Sequence, residues 1–176
     1  MAKLLVGILI FFSCASPNKD KPQENAEKDV QENQFLNFID QFRKKKVIKI
    51  NDVNRYTKSS FTEERISSIE SLELLIESDG LYAVMYKVNC KAGGECQGYY
   101  ISTFDKKGEH ITSTEIGETV SDSEGGKYFE YQKISSKELI ITHELEDYSD
   151  ESDSNTLTKS QVLVNADGTV TIKDNI

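Results

Sequence analysis

Across residues 81–173 apolar and polar positions alternate in short runs, and turn signals break the runs at close intervals. That pattern restricts the chain more than any other feature it has. In residues 81–88, Tyr82, Val84, Tyr86 and Val88 share one face, and Leu81, Ala83 and Met85 share the other. Apolar residues on both faces predict a central strand covered on both sides. Residues 98–104 read as its antiparallel partner, and 109–116 follow after Lys106-Lys107-Gly108. Residues 127–134 and 137–146 pair around Ser135-Ser136, and 156–164 and 169–173 pair around Asn165-Ala166-Asp167-Gly168. Loops this short set consecutive strands side by side. The expected product is an antiparallel meander of about seven strands.

Ahead of the meander the period changes. Phe35, Phe38, Ile39 and Phe42 recur at i, i+3, i+4 and i+7, which predicts a helix over 29–45. Arg43, Lys44, Lys45 and Lys46 put positive charge at its C-terminal end, where the helix dipole favours it. Three phenylalanines on one stripe could bind a membrane; a core-facing stripe is the plainer reading. Val47-Ile48-Lys49-Ile50 suits a short strand ended by Asn51-Asp52. Ile66, Ile69, Leu72 and Ile76 have helical spacing and predict a helix that starts near Thr62 and leaves at Asp79-Gly80. The fold class is α+β: a helix or two, then the meander, in one domain over 34–176.

The N-terminus carries the address. After Lys3, residues 4–12 are apolar except for Gly7. Such a run reaches about 14 Å as a helix, half of a ~30 Å hydrocarbon core. It has the size of a secretory signal and not of a membrane span. Phe11-Phe12-Ser13-Cys14 ends the run with a small residue directly before a cysteine, and it resembles the lipobox of bacterial lipoproteins. The resemblance implies that the Cys14 thiol receives diacylglycerol and that residues 1–13 are then cut away. Residues 14–33, with Pro17 and Pro22, would be a lipidated N-terminus and polar tether. A mature lipoprotein carries two or three chains, enough for lasting attachment. An ordinary secretory signal with an incidental cysteine is the alternative. The skew toward Lys over Arg, 18 to 3, together with this N-terminus resembles the small lipoproteins of Bacteroidota. Such proteins sit on the outer membrane, facing the periplasm or the cell surface.

Charge narrows the partners. The formal net charge is −9. A nucleic-acid partner is disfavoured, because neutralising phosphates needs clustered Lys and Arg. The expected partners are the membrane, through the lipid, and an envelope protein or glycan; a basic partner would be steered in. The two remaining cysteines, Cys90 and Cys96, flank Lys-Ala-Gly-Gly-Glu between strand-like runs. In an exported chain that predicts a disulfide across the mouth of a hairpin. A metal site is the rival, yet neither His110 nor His143 has ligand spacing to the pair.

Signatures of chemistry are sparse. There is no Gly-x-Ser-x-Gly elbow. His143-Glu144 opens like a zinc-protease motif, but Asp147 stands where the second His belongs. Gly125-Gly126-Lys127 lacks the rest of a phosphate loop. No cofactor and no catalytic residue is expected. Asp147, Asp150, Glu151 and Asp153 lie in the densest acidic stretch and are a calcium candidate, although the spacing has no central Gly. A solvated, self-repelling loop is the alternative. Tyr99-Tyr100 and Tyr128-Phe129-Glu130-Tyr131 could stack on sugars or meet a protein, with at least half of these rings expected in the core. The function expected is a non-catalytic binding or scaffolding module. Two alternatives are an acidic inhibitor of a basic cell-wall enzyme such as lysozyme, and a carboxylate-dependent glycosidase.

Overall fold

The computed structural model describes residues 21–78, 80–91, 95–121, 125–147, 154–174 and 176. Helix α1 spans Lys21–Arg43, strand β1 Val47–Ile48 and helix α2 Ile50–Thr57. Eight further strands follow: β2 Ile66–Glu77, β3 Leu81–Cys90, β4 Glu95–Asp105, β5 His110–Ser121, β6 Gly125–Lys133, β7 Glu138–Asp147, β8 Ser154–Val164 and β9 Val170–Asp174. All nine belong to one sheet in sequence order, and every neighbouring pair is antiparallel. The meander is therefore present, with nine strands among the described residues where about seven were expected.

One extra strand corrects the expected helix at 62–77. Its apolar residues have helical spacing, yet the segment forms β2. Register shifts between Ile66 and Ser68, Ser71 and Glu73, and Leu74 and Ile76 explain the disguise. Each bulge inserts a residue and flips the alternation, so a strand with three of them loses its period of two. Ile69 and Leu74 consequently reach one face of the sheet, while Leu72, Leu75 and Ile76 reach the other. The other extra strand is β1, short as expected, but the chain after it turns into α2, which the sequence reading missed. Helix α1 begins at Lys21, ahead of the expected 29, so it takes in much of the expected tether.

The meander folds over itself between β5 and β6. Among the described residues those strands pair only at Val120↔Lys127 and Ser121↔Gly126. Beyond them β6–β9 cross the inner face of β2–β5. Phe129 of β6 stacks on Tyr99 of β4 with centroids 4.2 Å apart. Lys133 at the far end of β6 reaches Glu73 of β2 at 3.6 Å. At the opposite side, Thr103 Oγ1 donates to the Gly168 carbonyl at 2.6 Å. Between the two β layers lie Leu75, Met85, Ile101, Ile116, Leu139, Ile141 and Val162, all buried.

The helices cover the outer face of the first layer. Phe35, Phe38, Ile39 and Phe42 are each at most 2% exposed and pack against Val84, Tyr86 and Phe104. The phenylalanine stripe is thus core. As expected, β3 is buried on both sides: Leu81, Ala83 and Met85 face the β layer, Val84, Tyr86 and Val88 the helices. Lys45, at φ 47°, turns the chain out of α1, and Arg43 and Lys45 pair with Glu77 and Glu73 of β2.

Candidate functional site

The sequence-derived sites divide by position. Cys14 and the apolar run before it lie outside the described residues, as do Asp150, Glu151 and Asp153; Asp147 is the last residue of β7. The calcium candidate therefore has no described geometry. Cys90 and Cys96 form the expected disulfide, with Cα atoms 5.3 Å apart. Cys90 ends β3 and Cys96 is the second residue of β4, directly beyond the Asn89↔Gln97 pair, so the bridge closes the mouth of that hairpin.

The aromatic runs are mostly structural. Tyr99 and Tyr131 pack against the inter-sheet core with buried Phe129. Tyr100 points to the helix side, stacks on buried Tyr86 at 5.5 Å and donates from its hydroxyl to Glu115 at 3.2 Å. Burial first, then the Glu115 charge, pushes its phenol up to about 12. None of these rings forms an exposed platform.

The histidines occupy different places. His143 faces the β5–β6 seam beside Phe129 and Gly117, and its Nδ1 is buried without a hydrogen-bond partner. Burial and the nearby Lys127 lower its pKa, opposed by Asp174 and Glu118. His110 starts β5 on the helix side and ends a chain of hydroxyls. Tyr86 Oη meets Ser102 Oγ at 3.2 Å, Ser102 meets Ser113 at 2.7 Å, and Ser113 meets His110 Nε2 at 2.9 Å. Burial and then Lys58 lower the His110 pKa, against a hydrogen bond with the Thr112 backbone. Ser113 is engaged by both Ser102 and the imidazole, so this chain of bonds orients His110 and keeps the buried Tyr86 hydroxyl satisfied.

No family model, curated protein or solved structure matches this chain.

A cavity of about 200 Å³ opens beside His110, where α1, α2 and the β4–β5 turn meet. Each wall has a local cause. Tyr56 of α2 stacks on Phe38 of α1 with centroids 4.6 Å apart. In the turn, Asp105 Oδ1 accepts from the backbone N–H of Lys107 at 2.8 Å and of Glu109 at 2.9 Å. Gly108 takes φ 82° there, and a Cβ on it would fall 2.5 Å from the Phe35 ring. Only glycine satisfies both the backbone and the contact. Arg55 stands in the last turn of α2 over the Tyr56 ring, and Lys58 caps that helix at φ 55°. Arg55, Lys58 and Lys107 all line this one cavity. Sequence reading missed it; its one local trace is Lys106-Lys107 at the tip of a turn.

Proposed function

We infer that this chain is an extracytoplasmic binding module held to an envelope membrane by lipid on Cys14. The Cys90–Cys96 bridge carries the reading, since such bonds persist in oxidising compartments and are rare in the cytosol. The Ser13-Cys14 end of the apolar run supports the lipid, and the absence of a helix long and apolar enough to cross a membrane among the described residues is compatible with it. Six residues separate Cys14 from Lys21, so the start of α1 sits within roughly 25 Å of the lipidated residue. The body is a compact sandwich whose helix-side cavity is its binding element.

The test is acylation. Cells fed labelled palmitate should label the parent chain and retain it in membranes, with a mature N-terminus at a lipid-modified Cys14. A Cys14→Ser variant should be unlabelled and released on lysis. Equal membrane retention of that variant would overturn the anchor.

A further inference from the structure

We propose that the cavity between α1, α2 and the β4–β5 turn binds a phosphate monoester carried on a small polar, polyol-like group. The proposal rests on the binding reading but not on the anchor. A failed titration would leave lipidation at Cys14 standing, and a failed acylation test would leave this site standing.

Charge is the first observation. The chain has 30 carboxylates against 21 Lys and Arg, so a random surface hollow should be acidic. This one reverses the sign. Arg55, Lys58 and Lys107 line it against one carboxylate, Glu109. None of the three cations forms a salt bridge with a described carboxylate; other surface lysines share that state, but these three converge from α2 and the β4–β5 turn on one cavity. Three cations gathered around one cavity with a single carboxylate beside them suit a ligand that supplies the negative charge. The C-terminal dipole of α2 accounts for Arg55 and Lys58. It does not account for Lys107, which arrives from a separate hairpin turn.

Charge count then selects the ligand. Three cations and one carboxylate, with His110 neutral, leave two positive charges. A phosphate monoester carries about −1.5 to −2 at pH 7. A single carboxylate would leave the hollow positive. The guanidinium of Arg55 offers the planar fork that matches phosphate oxygens, and the lysines add point charge. Gln31 and Gln34 of α1 supply neutral donors from the third wall.

Size and continuity select the rest. About 200 Å³ is below the roughly 300–1,000 Å³ of sites for drug-sized ligands, and it suits one headgroup. A second hollow of about 300 Å³ shares Gln31, Lys107 and Glu109 with the first and adds Glu32 and Lys106, which cancel in charge. All of its lining side chains end in polar groups, which can hydrogen-bond a hydroxyl-bearing body. The walls are preformed by the Tyr56–Phe38 stack and by Gly108 on Phe35, so little ordering is needed on binding.

The monoester has two possible sources, a soluble phosphorylated polyol or a lipid with a terminal phosphate. The full mature chain is titrated at low salt with inorganic phosphate, with glycerol phosphate, and with phosphatidylcholine vesicles containing or lacking phosphatidic acid. Heat and the ring resonances of His110 are followed. Saturable binding of glycerol phosphate, with His110 shifting, supports a soluble ligand; binding only to phosphatidic acid vesicles supports the lipid source. Arg55→Gln with Lys107→Gln should weaken binding at least about tenfold, because two charge-assisted contacts are lost. Both residues are exposed, so the fold should be unaffected. Lys159→Gln with Lys173→Gln removes the same charge from β8 and β9 and should leave binding within about twofold. No saturable binding of any probe, or equal weakening in the two double variants, would overturn the site.

Discussion

Replacing Gly117 with Ala tests the folded-over sheet directly. A methyl group at 117 would lie 2.1 and 2.4 Å from two ring carbons of Phe129 and 2.8 Å from a ring carbon of His143. The Phe129 ring cannot simply swing away, because it is buried and stacked 4.2 Å from Tyr99. The two β layers must therefore separate or a side chain must leave its rotamer. Overpacking of this kind costs about 1–3 kcal/mol. For a chain of this size that is a fall in Tm of roughly 2–12 °C. Urea unfolding followed by circular dichroism at 25 °C measures it, with an unchanged slope expected. Phe129→Leu in the same chain should recover part of the loss, since the smaller side chain vacates the space the methyl needs. Gly80→Ala is the control: nothing lies within 4 Å of its Cβ position, and the change should be neutral or stabilising by about 0.4–1 kcal/mol. If Gly117→Ala shifts stability by less than about 0.5 kcal/mol, or if the two changes are simply additive, β5 and β6 are not appressed as described.

Further expectations concern the core, the bridge and the protons. Phe38→Ala should cost about 3–5 kcal/mol by urea unfolding, because its ring is 1% exposed and meets Phe35, Phe42, Tyr56 and Phe104; a loss below 1 kcal/mol would remove α1 from the core. Replacing both Cys90 and Cys96 by Ser should cost at most about 2–3 kcal/mol, since the loop the bridge closes is small, and the double variant should still show the native circular dichroism spectrum. Stability should decline on acidification through the histidine range. The pKa of His143 is lowered by burial and by Lys127, so between its folded pKa and the ordinary value near 6.5 the unfolded chain holds more protons. That contribution is complete above the ordinary value and is lost as pH falls through the folded one. His110 acts in the same direction. Thermal unfolding between pH 7.5 and 5 should therefore show a slope that becomes shallower in His143→Gln; an unchanged slope would contradict the burial argument.

The legible part of this fold is the part governed by local repetition. Strand β3 could be read on both faces because its register runs without a break from Leu81 to Asn89 against β4, so the period of two survives intact. The α1 stripe was legible for the same reason at a period near 3.6. Strand β2 was not, because its bulges answer to β3 and leave a string of apolar residues that mimics a helix. Helix α2 was hidden differently. Ile50, Val53 and Thr57 have helical spacing, but Asn51-Asp52 resembles a stop, and no side chain caps the N-terminus of the helix. Its helical state is fixed from outside, by Tyr56 on Phe38 and Val53 in the core beneath α1.

The candidate site is less legible still, and the reason is chain separation. Gln31, Arg55 and Lys107 belong to three elements, and each taken alone has an ordinary explanation: a solvated helix face, a cation at a helix C-terminus, a lysine in a turn. What removes those explanations is convergence on one hollow without a described carboxylate partner. That fact depends on the Gly108–Phe35 contact and the Tyr56–Phe38 stack that bring the elements together. Among the described pairs, Asp40 meets Lys44 by helical spacing and Glu70 meets Lys87 by strand register, whereas Lys45 and Arg43 reach Glu73 and Glu77 across the α1–β2 packing, and Lys127 reaches Glu118 across the β5–β6 seam. Arg55, Lys58 and Lys107 meet only where tertiary packing joins distant segments, which is why a net charge of −9 conceals a cationic hollow.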